Sequence, residues 1–93
     1  MNATNPSRWH GSKNAAGQLA SIEKVFAFAD FDTALAFANG VALIAQQHNH
    51  HPSILLQWGL CVVRWSTHDA GHIVTERDVA CAECCDALYQ HRA

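Results

Sequence analysis

Runs of basic residues are missing from this chain of 93 residues, whose formal net charge is -2. A clustered positive face is the usual electrostatic footprint of nucleic-acid binding, so direct binding to nucleic acid is not expected. The chain also lacks an apolar stretch long enough to cross a bilayer. Its polar first residues lack the apolar segment of a signal peptide. We therefore expect a cytoplasmic protein with no membrane-spanning segment.

Cysteines are few, and three of the four crowd one short segment: Cys61, Cys81, Cys84 and Cys85. Without a secretion signal, reduced thiols are the expected state. The Cys81-x-x-Cys84 spacing is typical of zinc sites, but it falls inside a predicted helix and no second pair matches it. The simpler interpretation is a set of small core residues. Neither a disulfide nor a bound metal is predicted.

The length of the chain fits one domain, and 49% of its residues are apolar, enough for a core. Residues 1–17 are polar and are broken by Pro6 and Gly11, which predicts a loosely ordered leader before a domain over residues 18–93. Trp9 is the large apolar side chain of the leader and is expected to dock on the domain. Because so small a domain buries a limited share of its surface, a homodimer or homotetramer is expected.

Hydrophobic periodicity predicts a strand, a helix, a long strand and a second helix, over residues 22–28, 30–47, 55–65 and 75–90. A further strand is possible between residues 10 and 20. Thr75 followed by Asp78 predicts a capping box at the start of the second helix. Gly40 within the first helix indicates close packing against another element. Alternating strands and helices favour a parallel crossover sheet, although sequence alone leaves the strand directions open.

Histidines are numerous, with seven in the chain. Five lie in two clusters beside the predicted long strand: His48, His50 and His51, then His68 and His72. Imidazoles around one pocket would supply an acid and a base near neutral pH. Solvated loop histidines are the alternative that spacing alone favours, and a metal site is another. The two clusters can meet only if the loop before the strand folds back over the sheet.

Four pieces of sequence resemble, as a set, the pterin-4a-carbinolamine dehydratases, which are also described as dimerisation cofactors of a homeodomain transcription factor. They are His50-His51-Pro52, Trp58, Ser66-Thr67-His68-Asp69 and Thr75-Glu76-Arg77-Asp78. The resemblance covers residues 20 to 90. It implies an α+β fold, in which a single, mostly antiparallel four-stranded sheet carries helices packed on one face. That expectation replaces the parallel crossover.

The resemblance also implies a reaction, the loss of water from a 4a-hydroxytetrahydropterin to give a quinonoid dihydropterin, without a metal or organic cofactor. Its acid–base set would be His50, His51 and His68. Its pterin-binding positions would be Gln46, Trp58, Ser66, Thr67 and Asp69. Asp78 matches an acidic position of the family and is interpreted as a helix-capping residue.

Gln46 is a departure from the family, which usually has a glutamate or another ionisable residue four positions before the histidine pair. An amide can hydrogen-bond an imidazole but carries no charge to raise its basicity. The substitution therefore weakens the case for full activity. It favours the alternative of a non-catalytic binding or assembly protein on the same fold.

Overall fold

A computed structural model describes residues 8–91, except for the side chain of Asp69. The chain forms one four-stranded sheet and two long helices, with a short 3₁₀ helix between them. The elements are β1 His10–Lys13, β2 Leu19–Ala27, α1 Phe31–His48, β3 Ser53–Gln57, β4 Leu60–Trp65, the 3₁₀ helix His68–Ala70 and α2 Glu76–Gln90. No described helix has the length and apolarity needed to span a membrane.

The sheet is antiparallel throughout, with the strand order β1-β2-β4-β3. This confirms the α+β fold that the resemblance implies and excludes the parallel crossover. The expected extra strand is β1. The division into a leader over residues 1–17 and a domain over residues 18–93 stays a prediction, although β1 places residues 10–13 of that leader in the sheet. Residues 1–7 lie outside the described part of the chain.

The predicted long strand over residues 55–65 was wrong, because the chain turns back at Trp58 and Gly59 to form the β3–β4 hairpin. Leu56 opposes Cys61, and Ser53 opposes Arg64. Gly59 has φ 80°, a left-handed conformation that glycine adopts without steric cost. The alternation of apolar side chains continues on both sides of this turn, so periodicity could not reveal it.

Helix α1 begins at an N-cap, Asp30, whose side chain accepts a hydrogen bond of 2.9 Å from the Thr33 backbone N–H. That hydrogen bond lowers the pKa of the Asp30 carboxyl. The helix buries Phe37 and Val41 against the sheet. A Cβ at Gly40 would lie 2.6 Å from a methyl carbon of Leu88 in α2, so this glycine permits the close helix contact that its position predicted.

Buried thiols complete the core beneath α2. Cys61, Cys81 and Cys85 are fully buried, whereas Cys84 is half-buried. Burial raises the pKa of the Cys61 and Cys81 thiols to about 11 and that of Cys85 to about 12. These side chains therefore stay protonated near neutral pH and pack as small apolar groups.

Trp9 docks the N-terminal part of the described chain onto α2, as its size suggested. Its indole Nε1–H donates to Asp86 Oδ2 at 3.0 Å, and its ring meets the edge of Phe26. Asp86 also accepts a 2.7 Å hydrogen bond from Lys24 Nζ. A buried lysine on the core face of β2 thus has a carboxylate partner, which offsets the cost of removing its charge from water.

Candidate active site

The β3–β4 hairpin brings the chain segments that carry the two histidine clusters to the same end of the sheet. Because β3 and β4 are antiparallel, the chain before Ser53 and the chain after Trp65 lie at the same end of the sheet. The loop carrying His50 and His51 thus lies near Thr67 and the start of α2. No fold-back of the loop over a long strand is required.

His50 is the buried centre of this region. Its side chain is 6% exposed, and its Nε2–H donates to Asp78 Oδ1 at 2.5 Å. The imidazole stacks on the indole of Trp65, with ring centres 5.5 Å apart and planes 18° apart. Since an ionised carboxylate only accepts hydrogen bonds, Asp78 holds the proton on Nε2 and fixes the orientation of the ring.

Asp78 joins three elements through its two carboxylate oxygens and is fully buried. Besides the hydrogen bond from His50, it accepts one from the Thr67 hydroxyl at 2.5 Å and one from the Thr75 backbone N–H at 2.8 Å. The Thr75 and Asp78 side chains form the predicted capping box. The sequence indicated only the cap. The contact with His50 depends on the hairpin, so no local pattern could show it.

His51 is exposed to solvent beside His50. Its Nε2–H donates to Gln46 Oε1 at 2.8 Å, one turn back at the end of α1. The amide therefore occupies the place from which a carboxylate would contact this imidazole. The Gln46 amide orients the His51 ring and leaves its Nδ1 available for another hydrogen bond, but it contributes no negative charge.

The structure does not bring all of the other predicted site residues close to His50 and His51. Ser66 donates its hydroxyl hydrogen to the Ala20 carbonyl oxygen at 2.7 Å. Exposed His68 follows Thr67 directly, and its ring contacts His72 rather than His50 or His51. Trp58 is 72% exposed at the hairpin turn, the opposite end of β3 from His51. The side chain of Asp69 lies outside the described residues. The pterin contacts of all five residues, Gln46, Trp58, Ser66, Thr67 and Asp69, stay predictions.

Cavities of a size for small molecules lie at two places in the described part of the chain. One of about 600 Å³ adjoins the Asp78 network and is lined by Thr67, Ala70, Thr75, Glu76 and Arg77. Its volume falls in the range of small-molecule sites. Another of about 610 Å³ lies between the end of β2 and the two helices, around Phe28, Phe37 and Leu88. Among the described residues, no ionisable side chain lines the second cavity, whereas Glu76 and Arg77 line the first; no histidine lines either one.

The fold and this site define a small α+β domain with a buried histidine–aspartate pair beside an exposed histidine. The sequence model of the family described as "Pterin 4 alpha carbinolamine dehydratase" matches residues 2–88. The chain therefore belongs to the pterin-4-alpha-carbinolamine dehydratase family.

Relatives provisionally named pterin-4-alpha-carbinolamine dehydratases agree with this assignment. A protein of Vibrio cholerae strain O395 is 43% identical over 70 residues, covering 75% of this chain and 63% of the relative. One of Marinobacter nauticus strain VT8 is 44% identical over 68 residues, covering 73% and 60%. The chain thus spans about three fifths of the length of these relatives.

Two solved structures share the fold. The "transcriptional coactivator/pterin dehydratase" of Brucella melitensis superposes with a TM-score of 0.74 at 32% identity, covering 87% of this chain and 81% of that one. A "pterin dehydratase-like protein" described as a RuBisCO assembly factor in the alpha-carboxysome superposes with a TM-score of 0.66, covering 95% and 94%. The second is 21% identical, so this likeness shows the fold alone.

Proposed function

We propose that this protein removes water from a 4a-hydroxytetrahydropterin to give a quinonoid dihydropterin, by histidine acid–base catalysis. Membership of the dehydratase family supports this reaction class. The observation that carries the proposal is the buried hydrogen bond between His50 and Asp78. A carboxylate that fixes an imidazole is the usual way to hold it ready for proton transfer.

The reaction requires two proton transfers and no redox step. The bond from C4a to its hydroxyl oxygen breaks while an acid delivers a proton to that oxygen, which leaves as water. A base takes the proton from N5, and the freed electron pair forms the C4a=N5 double bond. Imidazoles suit both tasks near neutral pH. We assign the acid–base set to His50, His51 and His68 and leave the division of tasks among them open.

The substrate would lie in the cavity beside Thr67 and Thr75. The proposed pterin-binding set is Gln46, Ser66, Thr67 and Asp69, with Trp58 supplied by a second copy of the chain, because Trp58 lies at the opposite end of β3 from this cavity. Within it, Gln46 reaches His51 and Thr67 belongs to the Asp78 network. The chemistry needs no metal or organic cofactor. A cytoplasmic homodimer or homotetramer that contributes to tetrahydropterin recycling completes the proposal.

Single histidine variants test the reaction on chemically generated 4a-hydroxytetrahydropterin. We expect His50→Ala and His68→Ala each to lower the rate about a hundredfold or more, the usual contribution of a general acid or base. His91→Ala is the matched control, since His91 is exposed at the end of α2 and contacts the Ala87 carbonyl oxygen. A His50→Ala/His68→Ala double variant as fast as the wild type would refute the proposal.

Gln46→Glu tests the departure from the family. A carboxylate in place of the amide would accept the same Nε2–H hydrogen bond from His51 and add the negative charge that favours a protonated imidazole. We expect the dehydration rate of the Glu variant to rise several-fold and its pH optimum to move upward. Gln46→Met, which has similar volume but no hydrogen-bonding group of comparable strength, is expected to lower the rate.

A non-catalytic assembly role is the second candidate, and the neutral Gln46 beside His51 is the observation that favours it. The assembly factor described above supports it only through the shared fold. An assembly protein would show no dehydratase activity in either the wild type or Gln46→Glu. It would also retain its protein partner when both His50 and His68 are changed to alanine.

A further inference from the structure

His68 and His72 lie on one loop whose two ends are joined. The Thr67 backbone N–H donates to the Ile73 carbonyl oxygen at 2.9 Å, and the His72 N–H donates to the Thr67 carbonyl oxygen at 3.0 Å. His72 itself has the left-handed φ of 60°. These backbone hydrogen bonds place His68 and His72 on one short, closed loop.

The two rings have a separation that suits a shared metal ion. Both side chains are exposed, and their ring centres lie 4.6 Å apart with planes at 74°. Imidazole nitrogens lie about 2.1 Å from zinc, so two imidazoles on one tetrahedral ion have ring centres about 5 Å apart. Because the rings are exposed, each can rotate about its Cβ–Cγ bond to turn a nitrogen toward a common point.

We propose that His68 and His72 form a chelating site for one divalent transition-metal ion, of the Zn²⁺, Ni²⁺ and Cu²⁺ type, with water at the remaining positions. Imidazole is a preferred ligand of these ions. Metal binding occupies the lone pair of one ring nitrogen of His68. If His68 transfers a proton in the dehydration, a consequence that rests on the proposed function, the bound ion inhibits the reaction by withdrawing that group.

Titration calorimetry with Ni²⁺ tests the site on metal-free protein at pH 7.5. All variants carry Cys84→Ser, because the half-buried thiol of Cys84 would otherwise compete for the metal. We expect one Ni²⁺ per chain in this background and in His91→Ala. His68→Ala and His72→Ala should each bind at least tenfold more weakly. Equal affinity in the background protein, His72→Ala and His91→Ala would overturn the proposal.

An activity measurement gives a second readout. His72 is outside the proposed acid–base set, so His72→Ala should keep the basal dehydration rate and lose its sensitivity to Ni²⁺. Inhibition of equal strength in His72→Ala and the background protein would overturn the assignment of the inhibitory ion to this pair. If metal-free protein has no dehydratase activity, the proposed function fails, and the calorimetric comparison still decides whether the metal site exists.

Discussion

The variant Asp78→Asn tests whether Asp78 acts only as a helix cap or also orients His50 through their hydrogen bond. The carboxylate accepts three hydrogen bonds, from His50 Nε2, Thr67 Oγ1 and the Thr75 backbone N–H. An amide of the same shape has one accepting oxygen and an NH₂ group that only donates. If its oxygen serves Thr75 and Thr67, its NH₂ faces His50 Nε2, and the imidazole must move its proton to Nδ1 or lose the contact.

The size of the effect follows from burial. Asp78 is fully buried, and a buried donor or acceptor that loses its partner costs about 1–3 kcal/mol, with more for a charged group. Weakening the capping box adds about 1 kcal/mol. We expect the variant to lose about 2–4 kcal/mol of its unfolding free energy. In a domain of this size that lowers Tm by about 10–25 °C.

The catalytic effect is separate from the loss of stability. With His50 in the wrong tautomer or unanchored, we expect the dehydration rate to fall about a hundredfold or more, measured at a temperature where the variant is folded. The matched control is Asp86→Asn in the same helix. It loses charge-assisted contacts with Lys24 and Trp9, so it should be destabilised while its rate stays within about twofold of the wild type.

Two outcomes would refute this reasoning. Wild-type stability and rate in Asp78→Asn would show that the buried carboxylate matters to neither folding nor chemistry. A large loss of Tm with an unchanged rate would show that Asp78 is a helix cap alone and that its hydrogen bond to His50 has no part in the reaction.

Three further predictions concern the fold and its thiols. Gly59→Ala should lower the free energy of unfolding in urea by about 1–2 kcal/mol, because the residue has φ 80° and its new Cβ would lie 3.4 Å from the Phe28 carbonyl oxygen. Gly17→Ala has a similar φ and no neighbour within 4 Å, so it is the control for backbone strain alone. An unchanged urea midpoint in Gly59→Ala would contradict the account. Burial raises the thiol pKa of Cys61 and Cys81 from 9.0 to about 11. Between about pH 9 and 11 these thiols therefore lose their protons in the unfolded chain but keep them in the folded one, so the free energy of unfolding should fall as the pH rises through this range. In native protein a thiol reagent should modify Cys84 before the buried thiols, and simultaneous reaction of all of them would contradict this.

Local patterns predicted the helices of this fold well. Asp30, Thr75 and Asp78 lie where the capping chemistry places them. The core faces follow the hydrophobic spacing only in part, because the large apolar side chains of Phe31, Leu35 and Val79 are exposed. The antiparallel sheet came from the family resemblance. Periodicity instead merged β3 and β4 into one strand, because apolar side chains continue to alternate through Trp58 and Gly59.

The candidate site was only partly predictable because it depends on contacts between distant residues. The sequence identified His50 as an acid–base candidate and Asp78 as a cap. Their contact joins residues 28 positions apart and exists only because the hairpin returns the chain to its starting end. Gln46 and His51 are five positions apart, across the end of a helix, and this contact was within reach of sequence reasoning.

A crystal structure with a bound dihydropterin tests the central claim most directly. The account predicts the pterin ring beside the Thr67–Thr75 cavity, with imidazole nitrogens of His51 and His68 within hydrogen-bonding distance of N5 or C4a substituents and His50 still joined to Asp78. A pterin held in the apolar cavity around Phe28 and Phe37, or His68 turned away from the ligand, would contradict it.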